Sequence, residues 1–394
     1  MGVLLLIFFL GTSDNYMISP LLPVMAAELG MNVGRVGGLI IPAYAIAAAA
    51  AALVIGPVSD NLGRRRFLLY ASVLFAAALF VTFLFKDVRV LLAMRIFTGL
   101  AAGTFSTCAI AYVADYFPYG RRGVAMSVVQ AGYFLALVIG VPVGSVLVQW
   151  QKSYRASFAF FASLSAVTFL LVLALLPDDR RQVSNDHVAP RRFHNIRLSF
   201  EGRERIAAIA SAFFVSAGFV GFFSYLGAWL AETIGLTTVQ TGLVFPMVGV
   251  ASVIGAVLAG PLSDRFGKRG ITLGSTLLLA AMLFLIPKFG LGAAMFVSLL
   301  TASLAFAFRQ GPLQALATEV VPSHARGTLV AMRNTASQIG IAVSTAVSGA
   351  LYLQGGYSDV GLFSGALTLA AAVCIYFIRE PATQLVAANA KGET

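Results

Sequence analysis

Three ionisable side chains, Asp14, Arg95 and Arg309, lie inside long apolar stretches of this chain. An isolated charge in hydrocarbon costs roughly 3 kcal/mol or more, so such residues are expected to have a function. A carboxylate beside a guanidinium can carry a proton. Burial favours the neutral carboxyl, and a nearby Arg favours the carboxylate. A carboxylate that gains and loses that partner therefore takes up and releases a proton. Asp14 lies about twelve residues into its stretch, ~18 Å at 1.5 Å per residue. Arg95 enters its own stretch from the other side by about five residues. That leaves it roughly 22 Å from the surface where Asp14's stretch begins, close enough for a long side chain to bridge. Asp14 is thus expected to bind the proton and Arg95 to tune it. A permanent structural ion pair and direct contact with a bound solute remain as alternatives. Arg309 is followed by Gln310 and then Gly311-Pro312, which should loosen its helix. It reads either as an attraction site for an anionic or polar solute, or as a side chain reaching back to the interface or into a gate ion pair.

The stretches that hold these residues dominate the chain. Of 394 residues, 59% are hydrophobic and 11% charged, against about 25% charged in an ordinary soluble domain. Apolar runs of roughly 18 residues or more recur from end to end, each long enough to cross a bilayer core. Lipid forces backbone groups to pair internally, so these runs are expected to be helices. They fall at about 2–27, 34–58, 66–85, 90–115, 121–149, 155–176, 205–231, 237–262, 270–287, 291–318, 325–353 and 357–378, and are numbered helices 1 to 12. The expected class is an all-α polytopic membrane protein. Residues 1–12 resemble a signal peptide, but no basic segment precedes them and the apolar pattern runs on past Asp14, so helix 1 is read as retained.

Loop charge sets the topology. One set of alternate loops holds Arg64, Arg65, Arg66, Arg121, Arg122, Arg180, Arg181, Arg265, Lys268, Arg269, Arg326 and others; the opposite set holds only Arg35, Lys86, Arg89, Lys152, Arg155 and Lys288. The basic side is expected to be cytoplasmic, with both termini inside and the chain in the cell (inner) membrane. The net charge of +11 follows this topology and does not gather in one patch, which argues against nucleic acid. Cys108 and Cys374 read as small apolar residues. His187, His194 and His324 form no ligand cluster, so neither a metal nor a cofactor is expected, nor an enzyme.

The chain repeats itself. Gly56-Pro57-Val58-Ser59-Asp60-Asn61-Leu62-Gly63-Arg64-Arg65 returns as Gly260-Pro261-Leu262-Ser263-Asp264-Arg265-Phe266-Gly267-Lys268-Arg269, 204 residues later. Asp115, Pro118, Arg122 and Gly123 return as Glu319, Pro322, Arg326 and Gly327 at the same offset. Two parallel six-helix halves are implied, related by an axis along the membrane normal. They are expected at 1–176 and 205–394, joined by a polar, basic cytoplasmic linker at 177–204. Under the offset Asp14 maps to Gly218 and Arg95 to Leu299, so any coupling chemistry belongs to the first half.

At these residues the chain resembles the major facilitator superfamily. Residues 56–66 are similar to that family's signature between helices 2 and 3, with Val58 and Asn61 departing from it; the copy at 260–269 is closer. Arg95 followed by Gly99 and Gly103 resembles the helix 4 motif. Gly140-Val141-Pro142-Val143-Gly144 resembles, with departures, the antiporter motif of helix 5. Together with Asp14-Asn15-Tyr16, Pro20 and Pro23, these residues resemble the twelve-helix drug:proton antiporters, in the branch of arabinose-, purine- and chloramphenicol-efflux permeases.

The resemblance implies proton-coupled efflux of a small organic solute by alternating access. A uniporter or importer on the same fold, or a sensor or scaffold that moves nothing, are the alternatives. The motif residues also read as a conformational latch at the cytoplasmic ends. Asp60 joins Arg64 and Asp115 of its own half and, across the interface, Arg333 or the amino end of helix 11, with Asp264, Lys268 and Glu319 as the second copy. The alternative is that these residues only fix topology and cap helices. Gly63 allows the tight turn and Gly56 close helix approach, and Arg65, Gly260, Gly267 and Arg269 complete the expected latch set. Gly132, Gly140 and Gly144 leave one face of helix 5 open for close packing, and Pro142 bends or loosens that helix. Asn15, Tyr16, Tyr44, Gln130, Tyr133, Tyr225, Arg309, Gln310, Asn334 and Gln338 are the expected cavity residues. The partners are the solute, protons and lipid, and a monomer is expected.

Overall fold

The computed structural model describes residues 1–117, 119–177, 202–321 and 326–378. Most of the 177–204 linker, Pro118, Pro322 and the three histidines lie outside these residues, as do the side chains of Asp60, Arg122 and Arg326.

Among the described residues every long apolar run is a helix. Ten helices are long and apolar enough to cross a membrane. Helix 1 adds another as a bent pair, Gly2–Tyr16 and Ile18–Leu29, inclined at 48°. The Arg326–Tyr376 segment divides at Gly356 (φ 71°), where its helical geometry breaks. Among the described residues, with the last segment counted as two, the apolar helices are the twelve expected.

The interruptions have local causes. In helix 1, Pro20 has no N–H for the Tyr16 carbonyl, and its ring crowds that group. The break falls at Met17, one turn beyond Asp14. In helix 5, Pro142 follows a π-turn at Ala136–Gly140, where the Val141 N–H reaches back to the Ala136 carbonyl. The widened turn absorbs the proline, and Val141–Gln151 continues the helix. Helix 10 differs from expectation: Ala293–Glu319 runs through Pro312 without a break.

The duplicated motif folds the same way twice. Gly63 (φ 96°) and Gly267 (φ 83°) turn the chain between helices 2 and 3 and between helices 8 and 9. These left-handed conformations favour glycine. One turn earlier, Ser59 Oγ donates to the Gly56 carbonyl and Ser263 Oγ to the Gly260 carbonyl, both at 2.8 Å.

The chain forms two compact units. One contains helices 1–6 together with Phe223–Gly249 and Thr345–Gly356, the ends of helices 7, 8 and 11 remote from the motif loops. The other contains the remainder of helices 7–12. Within the first unit, at the end far from the motif loops, repeat-related positions meet. Ser19 Oγ donates to the carbonyl of Phe223 at 2.7 Å, and the two residues stand one repeat, 204 positions, apart. Equivalent residues can touch only close to the axis that relates them, so helices 1 and 7 cross there. Ser19 Oγ also accepts from the Gly227 N–H at 3.1 Å. Gly38 lies against Gly349, and their repeat mates, Gly242 and Ser145, also lie against one another. Helices 2 with 11 and 8 with 5 thus form a pair of matching close contacts that seal this far end.

Candidate functional site

Helix 1 brings Asp14, and helix 4 brings Arg95, to a 2.6 Å ion pair between Oδ2 and Nη1. Their side chains are 0% and 1% exposed. The depths expected from hydropathy thus correspond to a real contact. The Arg95 guanidinium lies 4.5 Å from the ring centroid of Tyr44 on helix 2, a favourable placement for a desolvated cation. Tyr44 donates its own hydroxyl proton to the Gly11 carbonyl at 3.1 Å. The pair is not saturated: Asp14 Oδ1 and Arg95 Nε and Nη2 have no hydrogen-bond partner among the described residues. An ion pair so buried and so incompletely bonded contributes little net stability, because desolvation of both charges offsets their attraction. Its retention calls for a functional account.

Helix 5 presses against this site. A Cβ at Gly132 would lie 2.4 Å from the Leu5 carbonyl oxygen, and one at Gly140 would lie 2.1 Å from Ser13 Oγ. The bare face of helix 5 is therefore spent on helix 1, next to Asp14. Where the π-turn begins, Tyr133 reaches Tyr16 with their hydroxyl oxygens 2.5 Å apart and their rings edge to face. Both pack on Leu137, Val141 and Phe245. Asn15 is half-buried beside them, and Gln130 is exposed. Tyr225 stands apart from this group: it is fully buried in the far-end seal, with its hydroxyl donating to the Thr345 carbonyl at 3.0 Å.

In the second unit Arg309 of helix 10 is fully buried. Its Nη2 donates to the Val215 carbonyl of helix 7 at 3.3 Å, and its guanidinium lies 4.9 Å from the centroid of the Phe306 ring. Arg333 of helix 11 donates to the Ala208 carbonyl at 3.2 Å and to Gln314 Oε1 at 2.8 Å, so it is held inside its own unit. Gln310 and Asn334 are exposed and Gln338 is half-buried.

The residues expected to form the latch recur within each unit. Arg64 Nε meets Asp115 Oδ2 at 2.6 Å, and Lys268 Nζ meets Glu319 Oε1 at 2.8 Å, the same positions one repeat apart. Arg65 donates to the Leu173 carbonyl of helix 6, and Arg269 to the Tyr376 carbonyl of helix 12. Asp264 is exposed. Gly56 lies against Thr107 of helix 4, whereas Gly260 faces open space.

A family model described as Major Facilitator Superfamily matches residues 4–345, and again 209–393. The chain belongs to the Major Facilitator Superfamily. Membership makes it a multi-pass membrane transporter. Among its relatives is the MFS-type transporter YceJ of Bacillus subtilis (strain 168), 25% identical over 88% of this chain and 87% of that protein. A chloramphenicol resistance protein of Streptomyces lividans is 30% identical over 68% of each chain. Among solved structures, a D-xylose-proton symporter superposes with a TM-score of 0.79 at 20% identity, over 96% of this chain and 97% of the other. At that identity the likeness speaks for the fold.

Some structural residues of this superfamily member carry no sequence motif. Glu28, at the far end of helix 1, accepts from the Tyr154 N–H at 2.8 Å and from Ser153 Oγ at 3.1 Å, at the start of helix 6. A lone acidic residue before Gly30 does not announce that role. The Gly38–Gly349 and Gly242–Ser145 contacts were findable, since the 204-residue offset maps one pair onto the other. Glu28→Ala removes a charged acceptor from two donors and should cost about 2 kcal/mol. The expected result is a melting temperature in detergent lower by a few degrees with solute affinity unchanged; an altered affinity would place Glu28 in the transport path instead.

Proposed function

We propose that this transporter is a proton-coupled exporter of a small organic solute or drug, working as a monomer in the cell (inner) membrane with both termini cytoplasmic. The buried Asp14–Arg95 pair carries the reading. It is a proton-binding group with its charge partner in the bilayer interior, and it occurs in one half only. Export is supported by the relative whose name is a chloramphenicol resistance protein. In this reading residues 1–176 and 205–394 act as two halves joined by the linker at 177–204. They rock about a midplane site, with Asp60, Asp264 and their partners latching the cytoplasmic ends. Tyr16, Tyr133 and Tyr44 border the proton site on the solute side. The sealed far end is then the outward face, so this conformation holds the external exit shut.

Purified protein in liposomes, given an imposed pH gradient and a labelled solute, tests the coupling. Solute movement against its own gradient should stop when an ionophore collapses the proton gradient. Movement that only runs downhill and ignores the ionophore would make the protein a uniporter, the reading favoured by Val141 standing directly before Pro142 where the antiporter motif has Gly.

A further inference from the structure

Arg309 stands apart from the other buried cations. Arg95 has Asp14 at 2.6 Å, and even the half-buried Lys268 has Glu319 at 2.8 Å. Arg333, 6% exposed, spends two nitrogens on good acceptors. Arg309 is 0% exposed and makes no ion pair with a described residue. Its one recorded hydrogen bond, to the Val215 carbonyl, is long at 3.3 Å. Its Nε and Nη1 have no acceptor among the described residues. The ring beneath the cation, Phe306, is stacked on Phe219 of helix 7 at 3.5 Å. The lining is therefore apolar, and a charge left uncompensated there is costly.

Among the described residues no carboxylate pairs with it. Of the sixteen acidic residues, Asp14 alone lies in the interior of a span, and Arg95 holds it. Glu319 shares helix 10 with Arg309 but stands ten residues on, about 15 Å along the axis. Nε and Nη1 lie on the two different donor edges of the guanidinium, each shared with Nη2, and a buried cation with free donors there matches the oxygens of a carboxylate or a phosphate. A charge that no described residue neutralises is one that a ligand can.

We propose that Arg309 binds an oxyanion group, carboxylate or phosphate, on the transported solute, in a subsite of the second unit formed by helices 7 and 10 with Phe306 and Phe219 as its apolar floor. The substrate class is then organic anions. This rests on the transporter reading but not on its direction or its proton coupling. Binding measured at equilibrium, with no gradient present, separates the two.

The test uses the purified full-length chain in detergent at constant pH. Arg309→Met removes the uncompensated charge while keeping an unbranched apolar side chain. Without ligand, its melting temperature should rise by a few degrees; a fall of that size would show that the guanidinium holds the fold together and would overturn the proposal. Native protein is then challenged with benzoate, phenylacetate and phenyl phosphate at millimolar concentration, each against its neutral amide or alcohol counterpart. At least one oxyanion should stabilise the native protein above its counterpart, and the pattern across the panel assigns carboxylate or phosphate. That preference should fall at least tenfold in Arg309→Met and persist, weakened, in Arg309→Lys, which keeps charge without the fork. Equal stabilisation by the anions and their neutral counterparts, or a preference that survives in Arg309→Met, overturns the assignment.

Discussion

Asp14→Asn should abolish uphill transport while leaving downhill exchange of solute across the membrane. A proton moving through a gradient equivalent to 100 mV releases about 2.3 kcal/mol. At about 1.4 kcal/mol per tenfold, that sustains a solute gradient of roughly 50-fold for one proton per solute. The variant, which cannot bind the proton, should show a gradient close to one under the same imposed pH difference. Counterflow, in which labelled solute exchanges for unlabelled with no driving force, should continue. One complication is physical. Removing Asp14 leaves Arg95 buried without its ion-pair partner, at a cost of about 3–5 kcal/mol, so the single variant can fail by unfolding. The double variant Asp14→Asn with Arg95→Gln removes both charges and should recover most of that stability. If the double variant melts close to the native protein yet still builds a gradient, the pair is structural and proton coupling lies elsewhere.

The sequence made Asp14 and Arg95 legible for a reason that applies to few residues. Their cost in hydrocarbon is large, and depth along a helix follows from residue count alone, so two charges at similar depth were expected to meet. The helices were legible because lipid admits few alternatives to a helix, and the duplicated turn because Gly63 and Gly267 are forced into the same left-handed conformation. Less was legible where the outcome depends on what lies across the contact. Pro142 produces a π-turn while Pro312 leaves its helix whole, although both remove one backbone donor. Tyr225 and Tyr133 are alike in sequence context, yet one closes the far end and the other stands beside Tyr16. Which neighbouring helix each side chain faces decided these cases, and helical periodicity does not specify the neighbour.

The far-end seal gives the second large expectation: Gly349→Leu should prevent this end from closing. A Cβ at Gly349 would lie 2.4 Å from the Gly34 carbonyl oxygen and 2.6 Å from the Tyr225 hydroxyl, and one at Gly34 would lie 2.2 Å from the Gly349 carbonyl oxygen. The obstructing carbonyls belong to helix backbones, which cannot turn aside as a flexible side chain can. The repeat mate of Gly349 is Ser145, whose hydroxyl turns back onto the Val141 carbonyl at 3.0 Å; that copy of the contact accepts a small side chain. No such room exists at Gly349, where the Tyr225 hydroxyl fills the space. Overpacking of this kind costs about 1–3 kcal/mol, charged to the closed state alone, because the contact exists only when helices 2 and 11 meet. At about 1.4 kcal/mol per tenfold, the closed population should fall by roughly tenfold or more, and turnover with it, since a transporter that cannot close one end cannot complete its cycle. A cysteine placed at Ser145, buried in the native protein, should become reactive to a membrane-impermeant maleimide applied from the far side. Native labelling and native turnover in Gly349→Leu would show that the seal is passive packing and that the cycle does not depend on its closure.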